Sequence, residues 1–168
     1  MSTVIDVSNV SGKPMYTFAK MHNDGKRELF MPFVVFSYPK WATFESVKQG
    51  LNIACSSLLK GQELEILKAN GTWKGEQEDS CVVFYNSASL LVSILDAAFT
   101  HYHQQAVLSI SMNRQASIYT GCPYKGSPVF AQSTYMGIWE SQGNKRPEGE
   151  DYTEVGGVYY TIRKRKGE

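Results

Sequence analysis

The ten residues Gly71-Thr72-Trp73-Lys74-Gly75-Glu76-Gln77-Glu78-Asp79-Ser80 form the densest cluster of reactive or ligand-binding side chains in the sequence. Glycines let a backbone approach a bound molecule closely. The Trp73 indole offers an aromatic face to a cation, and three carboxylates lie within the next six residues. Gly71, Lys74, Gly75 and Ser80 are therefore candidate ligand-binding residues beside Trp73 and a carboxylate from Glu76, Glu78 and Asp79. The plainer reading of the same segment is a polar hairpin tip with solvated charges.

Other motifs exclude more than they offer. The GxxxxGK[ST] spacing of a phosphate-binding loop is absent, and Gly156-Gly157 is too isolated for a dinucleotide fingerprint. His101 and His103 are two apart, which on a helix sends them to different faces, so they read as solvated residues near a helix end. Cys55 and Cys81 fall at apolar positions and read as packing residues, while Cys122 precedes Pro123 in a loop. The basic end Arg163-Lys164-Arg165-Lys166 reads as a solubilising terminus sooner than as a nucleic-acid or lipid contact. The aromatics form no RNP1-like string.

The elements that must hold these residues follow from periodicity. Phe30 to Tyr38 is an apolar run fitting a strand buried on both faces. Thr43 caps a helix whose apolar stripe is Phe44, Val47, Leu51, Ala54, Cys55 and Leu58, with Gly61 placed to stop it. Leu64 to Leu67 and Cys81 to Tyr85 read as strands on either side of the glycine-rich stretch. Ser87 caps a second helix with Leu91, Ile94, Leu95, Ala98 and Tyr102 on one face. Val107 to Ser111 alternates as a half-buried strand does. The order β-α-β-β-α-β implies an α+β, ferredoxin-like core. Strand candidates at 116–119, 134–139 and 158–163 extend it, and 142–151 reads as a solvated loop. Residues 1–28 read as a flexible or partly docked arm with short strand candidates at 4–7 and 15–18, and residues 29–168 as a single α+β catalytic domain.

Length and charge narrow the classes further. At ~150 residues per domain, 168 residues make about one domain. Seventeen Lys+Arg against sixteen Asp+Glu give +1, which argues against both a strongly acidic nucleic-acid mimic and a strongly basic nucleic-acid binder. No apolar run approaches the ~18 residues of a membrane helix, and no secretion signal is evident. Three cysteines without CxxC spacing fit a reducing compartment better than a disulfide framework or a zinc site. The expectation is a cytoplasmic protein with no metal, no nucleic-acid partner and no membrane partner.

Three stretches together resemble the bacteriophage enzymes that degrade S-adenosylmethionine (SAM), known as SAM hydrolases or SAM lyases. Gly71 to Gly75 followed by Glu78-Asp79-Ser80 and a strand is similar to the family's Gly-x-Tyr segment and the Glu before its next strand. Gln105-Ala106-Val107-Leu108 with Asn113 to Tyr119 resembles its Gln-x-x-Val-Leu strand and hairpin. Gly137 to Glu140, Tyr152-Thr153 and Gly157 to Tyr160 resemble its C-terminal strands.

The resemblance implies a homotrimer of PII-like subunits with SAM between neighbours, in the cytoplasm of an infected bacterial host. It implies a counter-restriction role, SAM as substrate and no further cofactor. The family's Glu carries over to Glu78, with Glu76 as its neighbouring alternative, and the family's Tyr falls on Trp73, which keeps the ring but loses the phenol. The implied reaction is attack of SAM's own carboxylate on its γ-carbon, giving 5′-methylthioadenosine and homoserine lactone. The alternatives are a non-catalytic PII-like trimeric binder of SAM or a nucleotide derivative, and a lyase for a SAM–nucleotide conjugate whose phosphate meets Lys74 or Arg114.

Overall fold

The run Phe33-Val34-Val35-Phe36 is buried along its whole length, so both faces of this strand must be covered. A computed structural model, which describes residues 32–121 and 130–164, shows what covers them. Strand β1 (Phe33–Ser37) pairs on one side with β3 (Glu76–Phe84) and on the other with β4 (Ala106–Ile110), both antiparallel. Strand β2 (Ile66–Trp73) continues the sheet beyond β3, and β5 (Gln115–Gly121) and β6 (Phe130–Ser141) continue it beyond β4. The hairpin of β7 (Thr153–Val155) and β8 (Val158–Arg163) then joins β6 to β2. The result is a closed antiparallel barrel in the order β1-β3-β2-β7-β8-β6-β5-β4.

Residues opposite one another across a ladder share a face. Phe33 lies opposite Phe84 and Ile110, Val35 opposite Val82 and Leu108, and Ser37 opposite Ser80. These face the barrel interior. The alternating set, with Val34, Cys81 and Val83, faces outward beneath the helices. Helix α1 (Phe44–Ala54) buries Val47 and Leu51 there, and α3 (Ala88–Asp96) buries Leu90, Ile94 and Leu95.

The helix starts are those the sequence marks. Thr43 accepts from the Ser46 N–H at 3.1 Å while the Ser46 hydroxyl accepts from the Thr43 N–H at 2.9 Å, a reciprocal capping box. Ser87 accepts from the Leu90 N–H at 3.1 Å. A short helix, α2 (Ser56–Leu59), follows α1 and ends at Lys60 and Gly61, both with positive φ. Of the expected α1 stripe, Val47, Leu51 and Cys55 are buried, whereas Ala54 and Leu58 are exposed. After α3 the chain makes a π turn over Ala97–His101. This wider turn brings Tyr102 into the core beside Phe36, with ring centroids 6.2 Å apart.

The expectation of an α+β, ferredoxin-like and PII-like core is overturned by this closure. The succession strand–helix–strand–strand–helix–strand does run from Phe33 to Ile110. The sheet does not end there: four further strands carry it round until Asn70 meets Glu154 and Gly71 meets Thr153. Alternation in a sequence reports that a segment is a strand, not which strand it will pair with. The closing strand β7 has three residues, too few to show a period. Two glycines permit the tight crossings. A Cβ on Gly71 would lie 2.6 Å from the Tyr152 carbonyl oxygen, and one on Gly137 would lie 2.4 Å from that of Arg163.

The arm 1–28 with its two strand candidates, Cys122 and residues 165–168 lie outside the described residues. Among the described residues, no helix is long and apolar enough to cross a membrane.

Candidate functional site

One end of the barrel is filled and the other is hollow. At the filled end Phe33 sits 5.5 Å from Phe84 and 5.4 Å, edge-on, from Trp139, and Trp139 stacks on Tyr160 at 4.8 Å between ring centroids. At the other end β1 stops at Ser37, β4 begins at Ala106 and β2 turns back into β3. There a cavity of about 600 Å³ opens, within the ~300–1,000 Å³ range of small-molecule sites. Its wall grades from Val35, Leu108 and Ile118 to Ser37, Glu78, Ser80, Thr120 and Thr153.

Five of the six residues singled out in the sequence line this cavity: Gly71, Trp73, Lys74, Glu78 and Ser80. Gly75 does not. They converge because β2 and β3 form one hairpin in which Gly71 faces Glu78 and Trp73 faces Glu76. The period of two along β3 puts Glu78 and Ser80 on the inward face. Glu78 accepts a hydrogen bond from the Ser37 hydroxyl at 3.0 Å. Glu76 is exposed and does not line the cavity, so Glu78 is the carboxylate the fold offers to a ligand there. Trp73, at 42% exposure, stands at the mouth with its ring available.

The glycine-rich stretch is a regular two-stranded hairpin. Its two-residue turn, Lys74-Gly75, has positive φ at both positions, 52° and 82°, as the tight turn matching strand twist requires. Lys74 has no glycine-like freedom there and is held from outside the hairpin. Asp151 accepts from the Lys74 N–H at 2.8 Å, the Gly75 N–H at 3.0 Å and the Thr72 hydroxyl at 3.0 Å. Burial alone would raise the Asp151 pKa. The donors from Gly75, Lys74 and Thr72 outweigh it and hold the pKa below its ordinary 3.8.

The stabilisation supplied by Asp151 is therefore complete above that ordinary value and is lost as pH falls through the folded pKa. Asp151→Ala is expected to loosen the turn at neutral pH by about 1 kcal/mol, small because the carboxylate is solvated. Amide hydrogen exchange at Lys74 and Gly75 checks this: protection should drop in the variant and, in the wild type, below about pH 4. Unchanged protection at both amides counts against the clamp.

The remaining candidates separate cleanly. Cys55 and Cys81 are fully buried; burial pushes the Cys55 thiol up to about 11 and the Cys81 thiol higher still, so neither supplies a thiolate at neutral pH. His103 borders the cavity, whereas His101 packs edge-on against Tyr102 at 4.8 Å. Among the described residues no group of three His, Cys, Asp or Glu side chains is placed to hold a metal. Arg114 lies on the β4–β5 turn, at the filled end of the barrel and away from the cavity, while Lys74 is at its rim. Arg163 pairs with Glu140 at 2.6 Å.

Sequence reasoning missed Ser37, Tyr38 and Asp151, and named Tyr152 only within a stretch resembling a C-terminal strand. Ser37 ends an apolar run, and Asp151 lies in a segment read as solvated loop; neither carries a local signal. No family model matches the chain, and no curated protein matches it.

Proposed function

We propose that this protein cleaves SAM to 5′-methylthioadenosine and homoserine lactone. One observation carries the reading. Three stretches far apart in sequence resemble the phage SAM-degrading enzymes, and parts of all three border one cavity. They are Gly71 to Lys74 with Glu78 and Ser80; Gln105, Ala106 and Leu108 with Ile118; and Tyr152-Thr153. The reading rests on these residues and their convergence; the barrel fold contributes no support of its own.

The chemistry suits the cavity. The SAM sulfonium is already a good leaving group. A carboxylate oxygen of the substrate forms a bond to its own γ-carbon, the carbon–sulfur bond breaks, and its electron pair neutralises the sulfur. No water is consumed and no proton need move. The protein's task is to hold the methionyl arm folded, which is proximity catalysis. Glu78 takes the ammonium and leaves the substrate carboxylate free to attack. It does not serve the sulfonium, because charge on sulfur vanishes in the transition state and a partner for it would favour the ground state. Trp73 covers adenine or the methionyl arm at the mouth.

The test is incubation with SAM followed by liquid chromatography with mass detection. Methylthioadenosine with homoserine lactone supports the lyase. Homoserine carrying oxygen from labelled water at the earliest times indicates a hydrolase instead, and intact SAM defeats both. A second reading, a non-catalytic binder of SAM or a nucleotide derivative, is favoured by Trp73, which lacks the phenol of the family's Tyr. Calorimetric binding without products would establish it. Lys74 at the rim leaves room for a phosphate-bearing SAM conjugate, for which Arg114 is too far away. A homotrimer and a role in depleting SAM for a bacteriophage belong to the same proposal, and light scattering in solution tests the trimer.

A further inference from the structure

Glu78 lies two residues from Ser80, and Ser80 is the direct partner of Ser37. Ser37 and Glu78 are therefore diagonal neighbours on the inward face, close enough for side chains to meet. Directly opposite Glu78 on β2 is Gly71, which has no side chain to restrain it. The Glu78 carboxylate, on a long and flexible stem, is thus left with a single side-chain hydrogen bond among the described residues, from Ser37 Oγ to Oε2 at 3.0 Å. The donor is well anchored. Ser37 ends β1, whose preceding four residues are buried, and it pairs with Ser80 on β3, while β4 pairs with β1 from Phe33 to Val35.

We infer that Ser37 is a positioning residue for the proposed reaction: its hydroxyl holds Oε2 of Glu78 and presents Oε1 to the cationic end of the ligand. The inference rests on the SAM-cleaving reading for its substrate, but the geometry it describes exists without substrate. A neutral hydroxyl that donates to one carboxylate oxygen leaves the group its full net negative charge, so the site keeps its selectivity for a cation while losing rotamer freedom. The other titratable groups lining the cavity are Tyr38 after β1, Lys74 at the β2–β3 turn, His103 before β4 and Tyr152 before β7. None of them is hydrogen-bonded to Glu78 among the described residues.

Two readouts test this on the full chain. Ser37→Ala is expected to lower kcat/KM for SAM about 10-fold, and Ser37→Thr, which keeps the hydroxyl, to restore most of it. Independently of substrate, the Glu78 side chain, followed by nuclear magnetic resonance relaxation in glutamate-labelled protein at neutral pH, should become more mobile on the ps–ns timescale in Ser37→Ala and stay ordered in Ser37→Thr. Both effects together support the inference. Loss of activity with unchanged Glu78 mobility overturns it, because the hydroxyl then acts on the substrate directly. Wild-type behaviour in both readouts also overturns it and leaves the function intact. If the wild type neither binds nor cleaves SAM, the function falls and the mobility of Glu78 alone decides the role of Ser37: a rise in Ser37→Ala supports it and no change ends it. Should Ser37→Ala fail to fold, Ser37→Cys, with its weak donor, replaces it in both measurements.

Discussion

Glu78→Gln is expected to lower kcat/KM for SAM by about 100-fold while leaving the fold unchanged. The two side chains have the same shape, and the amide oxygen still accepts from Ser37. What disappears is the charge that pairs with the substrate ammonium. A hydrogen bond to a charged group contributes about 1.5–3 kcal/mol, and each ~1.4 kcal/mol is a factor of ten. With substrate filling the cavity around Glu78, the loss is expected in the upper part of that range. Because the carboxylate orients the arm that must fold back on itself, the loss should divide between a raised KM and a lowered kcat. Trp73→Ala, by contrast, removes covering surface and should act mainly on KM. Steady-state kinetics on the two variants, with thermal unfolding as the control for folding, makes the comparison. Unchanged turnover in Glu78→Gln would sink the role assigned to Glu78.

The candidate site was legible to the extent that chemistry and strand period coincide. Residues 71–80 hold unusual side chains in a regular hairpin, so a period of two places Gly71 and Trp73 on one face of β2 and Glu78 and Ser80 on the same face of β3. The helix caps at Thr43 and Ser87 were legible because capping is local, reaching three residues. The barrel was not. Its closure depends on Asn70 and Gly71 meeting residues more than eighty positions later, through a strand of three residues. The partners of the site share this property. Ser37 meets Glu78 across forty-one positions and Asp151 meets Lys74 across seventy-seven. Serine at a strand end and aspartate in a polar loop are ordinary in themselves; only the pairing of distant strands gives either a task.

That dependence makes the filled end of the barrel the place where stability should be most sensitive. Phe33→Ala is expected to destabilise the protein by about 3–5 kcal/mol, the range for removing a large aromatic from a packed core. Phe33 is 2% exposed and touches both Phe84 on β3 and Trp139 on β6, so it bridges the helix-covered half of the barrel and the half that closes it. Truncation leaves a void against the Trp139–Tyr160 stack, whose rings are fixed by strands on either side and cannot collapse into the gap. At ~2–4 °C per kcal/mol for a chain of this size, the melting temperature should fall by about 10 °C. An exposed apolar residue gives the contrast. Ile53, at 70% exposure on α1, contributes little burial, and Ile53→Ala should stay within about 0.5 kcal/mol of the wild type. Denaturant unfolding of both variants decides the matter. A loss below about 1 kcal/mol in Phe33→Ala would mean that the barrel end is not packed around this ring. A loss of the expected size concentrated in Phe33 would mean that closure of the barrel, rather than the helical layer alone, holds the cavity wall in place.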